Sequence, residues 1–332
     1  MKTAAIILAA GRENQMQSAR AKELHDLLGR TLMQCTLDNV RGAAQDVVAV
    51  LGHHAAELGP AMPPDVSTTV QDFSLGAGTA KAAMAGMTLV SGADRVIITA
   101  GDMPVVSAES YRRLANAVDG VRCRAAVLYA DVKHPAGYDR IIFDGDGNVK
   151  RIAPEESLMP HEEDTPSINI SVYCFSYDAL VEGLARLQPE ESGLWRLSGL
   201  AALLAQEGET VAAVPTADPR EALRVVTRRD LANAIAYMKE LNCVKHMMAG
   251  VTIIDPASTY IESDVVIGAD TIIYPGCFLQ GGTQIGRRCT LLPHCRLKDA
   301  ILCDDVTVES SVLIGCRVPS GEAIPPFTVR HE

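Results

Sequence analysis

Broken every six residues, Thr259–Leu297 reads TYIESD VVIGAD TIIYPG CFLQGG TQIGRR CTLLPH CRL. The third place of each block is Ile261, Ile267, Ile273, Leu279, Ile285, Leu291 and Leu297. The first is Thr259, Val265, Thr271, Cys277, Thr283, Cys289 and Cys295. Two residues apart on an extended chain lie on one face, so each block offers one large and one small side chain to the same side. Stacked coils align such residues into columns, which is the pattern of a left-handed parallel β-helix. Three blocks close one coil of about eighteen residues, so the repeats supply about three to four coils. After a one-residue slip both series resume, at Leu302, Val308 and Ile314 and at Ala300, Val306 and Val312. The cysteines of this region, Cys277, Cys289, Cys295, Cys303 and Cys316, read as small core fillers. Solenoid ends and faces need cover, and a homotrimer is expected.

Upstream the rule changes. β-like apolar runs (Ala4–Ala10, Val47–Leu51, Val66–Val70, Val96–Ala100, Ala125–Ala130, Val211–Val214) alternate with amphipathic stretches such as Ala77–Val90. That alternation predicts an α/β domain of Rossmann-like build, with a mixed, mostly parallel sheet covered on both sides. Asp144-Gly145-Asp146-Gly147-Asn148 reads as a hairpin turn between Arg140–Phe143 and Val149–Ile152. It has no glycine at the sixth place of a calcium loop and no helical flanks. From Asp218 to Ala249 one long helix is predicted, with Leu231, Ile235, Met238 and Leu241 on one stripe and Gly250 as its cap. The predicted organisation is therefore residues 1–218, a linking helix 219–250, and the β-helix 251–332.

Composition narrows the partners. A formal charge of −11 argues against a general binder of nucleic acid or anionic membrane, both polyanions. Nine cysteines, with no C-x-x-C pair and no zinc-like spacing, read as reduced thiols in a cytoplasmic protein. The apolar start ending at Leu8-Ala9-Ala10-Gly11 reads as a first core strand rather than a signal peptide. No stretch approaches a membrane span.

Ile6–Leu24 carries the chemical signal: a buried strand runs through Leu8, Ala9 and Ala10 into Gly11 and a polar loop reaching Lys22. A strand end with a glycine and a lysine can cradle phosphates. Further along come Gln71 with Leu75-Gly76-Ala77-Gly78, Gly101-Asp102-Met103-Pro104 after a strand, Gly137-Tyr138-Asp139-Arg140-Ile141, and Asn169. In this order the segments resemble the bacterial bifunctional N-acetylglucosamine-1-phosphate uridyltransferase/glucosamine-1-phosphate acetyltransferase family. The resemblance covers nearly all of the chain, which looks truncated early in the family's β-helix. It implies that Leu8, Ala9, Ala10, Gly11, Lys22, Gln71, Gly76 and Ala77 bind the nucleotide, and that Gly137, Glu155 and Asn169 meet the sugar. Asp102 would hold Mg2+, with Lys22 and Asp102 as the catalytic pair. The implied reaction joins UTP to a sugar 1-phosphate and releases pyrophosphate. It needs no protein nucleophile, only positioning and cancellation of charge.

Departures cluster where charge matters. Glu13 stands where the family has a glycine of its phosphate loop, and Gln15 where it has an arginine. At 4 Å a like-charge contact costs about 1 to 4 kcal/mol. Arg12 and Arg20 are the nearby cations that could take that arginine's place at the triphosphate, a choice the sequence leaves open. Arg224-Val225-Val226-Thr227-Arg228 matches a Gly-Val-Asn-x-Arg stretch whose Asn ligates magnesium; Val226 has no oxygen to offer. Asp139 replaces a glycine, Ile170-Ser171 replace Thr-Gly, and Trp195–Gly199 puts later sugar contacts in doubt. The family's acetyl-coenzyme A site lies on later coils, so no acetyltransferase activity is expected. His294 reads as a solvated residue of a coil, and His53-His54 and the acidic segment from Pro154 to Pro166, with His161-Glu162-Glu163-Asp164, as surface loops. Two functions stand: a sugar-1-phosphate uridylyltransferase, or a catalytically weakened paralogue that binds a nucleotide or nucleotide sugar as a regulatory or assembly subunit.

Overall fold

The structure, a computed structural model, describes residues 1–12 and 15–331. These form two compact units, Met1–His25 with Thr31–Asp230, and Asp26–Arg30 with Leu231–Glu332.

The first unit is built on a nine-stranded sheet. Its strands are β1 (Thr3–Ala9), β2 (Asp46–Leu51), β3 (Ser67–Val70), β4 (Arg95–Ala100), β5 (Ala125–Asp131), β6 (Arg140–Phe143), β7 (Val149–Ala153), β8 (Ser167–Ser176) and β9 (Val211–Pro215). They lie in the order β9-β5-β8-β4-β1-β2-β3, with the β6–β7 hairpin joined to β8. β1 runs parallel to both β2 and β4, whereas β8 is antiparallel to β4 and β5. Alternation along β1 shows why both faces are covered. Ala5, Ile7 and Ala9 pack with the helices Leu32–Val40 and Ala108–Ala117. Ala4 and Ile6 pack with Thr79–Met87, Tyr177–Arg186 and Leu197–Gln206. A mixed, mostly parallel α/β sheet was expected and is observed.

Three expectations need correction here. The sequence marks no strand around Asn169-Ile170-Ser171, because the residues there are buried almost throughout and show no alternation. β8 is a central ten-residue strand, bulged between Asn169 and Val172. The helix predicted from Asp218 begins at Arg228 and ends at Met248. Pro219–Ala222 forms a 3-10 turn, and Val225, fully buried, donates its N–H to the Asp102 carbonyl at 2.9 Å, which draws the chain off any helical path. Thr227 and Asp230 then start the helix afresh: Asp230 N donates to Thr227 Oγ1 and Thr227 N to Asp230 Oδ2. Within the acidic segment, Glu162 is buried and accepts from Arg151 and Met159 N, so the surface-loop reading fails at that residue.

In the second unit, strands of two or three residues form three parallel sheets of five, five and four strands, the left-handed parallel β-helix expected from the repeat. Ile272 pairs with Thr290, eighteen residues on. The inward series from Ile261 to Leu297 is buried. Corners fall at Asp270, Arg288 and Asp305, with φ of 64°, 54° and 62°, and at His294 with φ of 63°. His294 is thus a turn residue stacked beside Gly276, where a Cβ would lie 2.5 Å from its ring. The repeat slips a second time: Leu313 and Ser311, not Ile314 and Val312, face the core. Leu297 pairs with Leu313, sixteen residues on, because both slips fall within that coil. Asp26–Arg30 belongs to this unit, where Ser263 N donates to the Leu28 carbonyl at 3.2 Å and Arg30 pairs with Asp264. All nine cysteines are free; Cys277, Cys289, Cys295 and Cys316 fill the core, and Cys303 is half-buried outside it.

Candidate functional site

Two adjacent parallel strands end together. β1 stops at Ala9 and β4 at Ala100, and Gly101 N donates to the Leu8 carbonyl at 2.9 Å. In sheets of this kind ligands bind beyond the carboxyl ends of the strands. Asp102 follows at that edge, 2% exposed. Its Oδ2 accepts from Lys22 Nζ at 2.5 Å and from Arg224 Nε at 2.9 Å. Its Oδ1 is buried and accepts no hydrogen bond from any described residue. Burial pushes the Asp102 carboxyl up, but the Arg224 and Lys22 charges and their hydrogen bonds outweigh it and hold the group below the usual carboxylate range.

Lys22 opens a 3-10 turn, Lys22–Leu24, whose Glu23 is buried. Burial raises the Glu23 carboxyl, with the Lys22 charge opposing. Gly11 is exposed, with open space around its Cβ position. Beyond it, the Met16 carbonyl accepts from Arg228 Nε at 3.2 Å. The reading of Glu13 lies outside the described residues; Gln15, Arg12 and Arg20 are exposed. The cation that meets Asp102 besides Lys22 is Arg224.

Gln71 is buried after β3, and its Nε2 donates to the Gly76 carbonyl at 3.3 Å. Gly76 and Gly78 have φ of 116° and 114°, a conformation that favours glycine. The loop is pinned by a partner that sequence reading missed. Trp195 N donates to the Ala77 carbonyl and Ala80 N to the Trp195 carbonyl, each at 2.9 Å. A Cβ on Gly78 would fall 2.3 Å from the Trp195 carbonyl oxygen. Lys81 Nζ sits 4.1 Å over the Trp195 ring.

A cavity of about 330 Å³ is lined by Gly137, Tyr138, Asp139, Asn169, Ile170, Ser171, Ala222, Arg224, Val226 and Asp230. Gly137 and Asn169, two of the residues expected to meet a sugar, are on its wall. Glu155 is not; its two carboxylate oxygens each accept from Gly137 N at 2.9 Å. Asn169 is already engaged, donating to Tyr173 OH at 2.9 Å and accepting from Ser171 N at 3.0 Å. Burial raises the Asp139 carboxyl, with Arg196 opposing. Arg224 belongs both to this wall and to Asp102, and so joins the two clusters. A charged residue in place of a glycine was its only signal in the sequence.

Among the described residues no three His, Cys, Asp or Glu side chains gather as a metal site. One buried, unpartnered carboxylate oxygen, Asp102 Oδ1, does suit a hard cation that takes its other ligands from phosphate and water.

The chain matches the model of the MobA-like NTP transferase domain over residues 5–252. It is 34% identical to the bifunctional protein GlmU of Alkaliphilus oremlandii over 329 residues, covering 98% of this chain and 72% of that one. With the bifunctional protein GlmU of Trichlorobacter lovleyi it shares 35% over 331 residues, again 98% and 72% of the two chains. The chain belongs to the MobA-like NTP transferase family, among the relatives of the bifunctional GlmU proteins. A nucleotidyl transferase from Methanothermobacter thermautotroptrophicus superposes with a TM-score of 0.53 at 21% identity, covering 73% of this chain and 99% of that one, a likeness of fold. No helix among the described residues is long and apolar enough to cross a membrane.

Proposed function

We propose that the protein transfers a uridylyl group from UTP to a sugar 1-phosphate of the N-acetylglucosamine 1-phosphate kind. The observation that carries this reading is the Lys22–Asp102 pair at the ends of β1 and β4, with Asp102 Oδ1 left unpartnered. An oxygen of the sugar phosphate attacks the α-phosphorus of UTP in line. The bond to the β-phosphate's bridging oxygen breaks, and pyrophosphate leaves with the electron pair. Lys22 neutralises charge on the phosphates, and backbone N–H groups around Ala10 and Gly11 hold them. Gln71, fixed on the Gly76 carbonyl, and the Gly76–Ala77 backbone receive the base. The cavity wall at Gly137 and Asn169 receives the sugar, with Glu155 holding Gly137 through its N–H. Magnesium would be held by Asp102 Oδ1 and, when bound, supplies further neutralisation at the phosphates.

Pyrophosphate release from the purified chain with magnesium, UTP and N-acetylglucosamine 1-phosphate tests the proposal; turnover that requires both substrates is expected. A second reading has its own support: Val226 offers no oxygen, and one oxygen of Asp102 is shared by two cations. Tight UTP binding with no turnover on any sugar phosphate would select that weakened, regulatory form.

A cytoplasmic homotrimer completes the proposal. Nine free cysteines accord with the location. For the trimer, the support is an outward column on one β-helix sheet, where Tyr260, Phe278, Val312 and Val329 occupy stacked registers interrupted by Arg296. Light scattering of the purified chain checks its mass.

A further inference from the structure

One cation is enough to pair Asp102, and Lys22 does so at 2.5 Å. A second cation, Arg224 Nε, meets the same oxygen at 2.9 Å. Its position is fixed from both ends. The neighbouring Val225 is fully buried and bonds through its N–H to the Asp102 carbonyl, so side chain and backbone of the segment are tied to one residue. Yet the Arg224 side chain is 46% exposed and forms part of the cavity wall. An aligned guanidinium at the rim of a cavity suits a phosphate oxygen, with planar N–H donors and a charge that never titrates away. Next to it Val226 presents only carbon, so this wall carries positive charge built into the chain where an oxygen ligand would have had to recruit it.

We propose that Arg224 is a permanent cation of the nucleotide site, binding triphosphate oxygens directly, so that UTP binds appreciably without any divalent ion. The inference rests on the nucleotide reading of the Asp102 edge and deepens it: metal becomes a requirement of turnover more than of binding. Asp102 acts on Arg224 as its positioning residue, turning the guanidinium toward the cavity.

Equilibrium binding of UTP, followed calorimetrically in EDTA and again in magnesium, tests it. The unaltered chain is expected to bind UTP in EDTA within about tenfold of its affinity in magnesium, and Arg224→Ala to lose about tenfold or more of the metal-free affinity. Arg224→Lys should recover part of that loss, since charge is restored without the planar fork. A half-exposed side chain can be replaced without emptying the core, and an unchanged thermal midpoint would verify this. Arg224→Ala binding UTP in EDTA as tightly as the unaltered chain would overturn the inference. So would an unaltered chain that binds UTP only with magnesium, which leaves the nucleotidyl reading standing. No UTP binding under either condition would remove that reading as well.

Discussion

In the β-helix, inward hydroxyls are satisfied within the coil or by the next one: Thr271 Oγ1 donates to the Gly286 carbonyl at 2.9 Å, and Thr283 Oγ1 to Gln280 at 2.6 Å. In the nucleotidyltransferase unit, Asp102 Oδ1 and Arg140 Nε are buried with no partner among the described residues. A buried polar atom left unpaired costs roughly 1 to 3 kcal/mol, more when it is charged. A region that only packs removes such costs, and the coils have done so. The first unit keeps one on the carboxylate that also carries Lys22 and Arg224, and that is where a bound cation would satisfy it.

The contrast breaks down if both regions respond alike to substitution. The largest effect is expected in the coils. Leu279→Ala empties a fully buried place in the inward column and should cost about 2 to 5 kcal/mol. Hydrogen exchange of the stacked strands around Leu279 should accelerate while UTP binding stays unchanged; a parallel loss of UTP binding would show that the coils also shape the site. Next in size is Asp102→Ala, which leaves Lys22 and Arg224 facing one another without their shared carboxylate. Pyrophosphate release should fall about 10²- to 10³-fold, the scale of losing one preorganised electrostatic group. A fall of less than tenfold would deny Asp102 its role.

The smallest effect sharpens the comparison by pH. Burial holds the Asp139 carboxyl above the usual carboxylate range, so its ionised form is disfavoured by the fold. The stability it contributes is therefore present when protonated and lost as pH rises through the folded value. Asp139→Asn should raise the thermal midpoint slightly at neutral pH, the gain vanishing as pH falls below 3.8. A gain equal at both ends of the range would point to packing instead of charge.

Legibility followed distance along the chain. The β-helix was readable because each coil repeats a rule within a few residues, and the inward columns were named correctly until the second slip near Ser310 shifted them by one. Strands flanked by turns were found within a residue or two, while β8 was not recognised, since a strand buried on both faces lacks alternation. At the site, Lys22, Gln71 and Asp102 stood out as residue types in a recognisable order. Arg224 did not, for nothing local distinguishes an arginine that turns toward a carboxylate 122 positions away from one in solvent. Trp195 was likewise legible only as a departure, and its grip on the Ala77 loop depends on two segments meeting across more than a hundred residues.

By itself, then, the sequence determined the two architectures, through the six-residue period in one half and the alternation of strand and helix in the other, because hydrophobic burial is written in the order of neighbours. Tertiary structure alone decided which charges meet. Lys22, Asp102 and Arg224 come from three separate connections, and only the register of β1 beside β4, with Val225 hydrogen-bonded to Asp102, brings them within hydrogen-bonding distance.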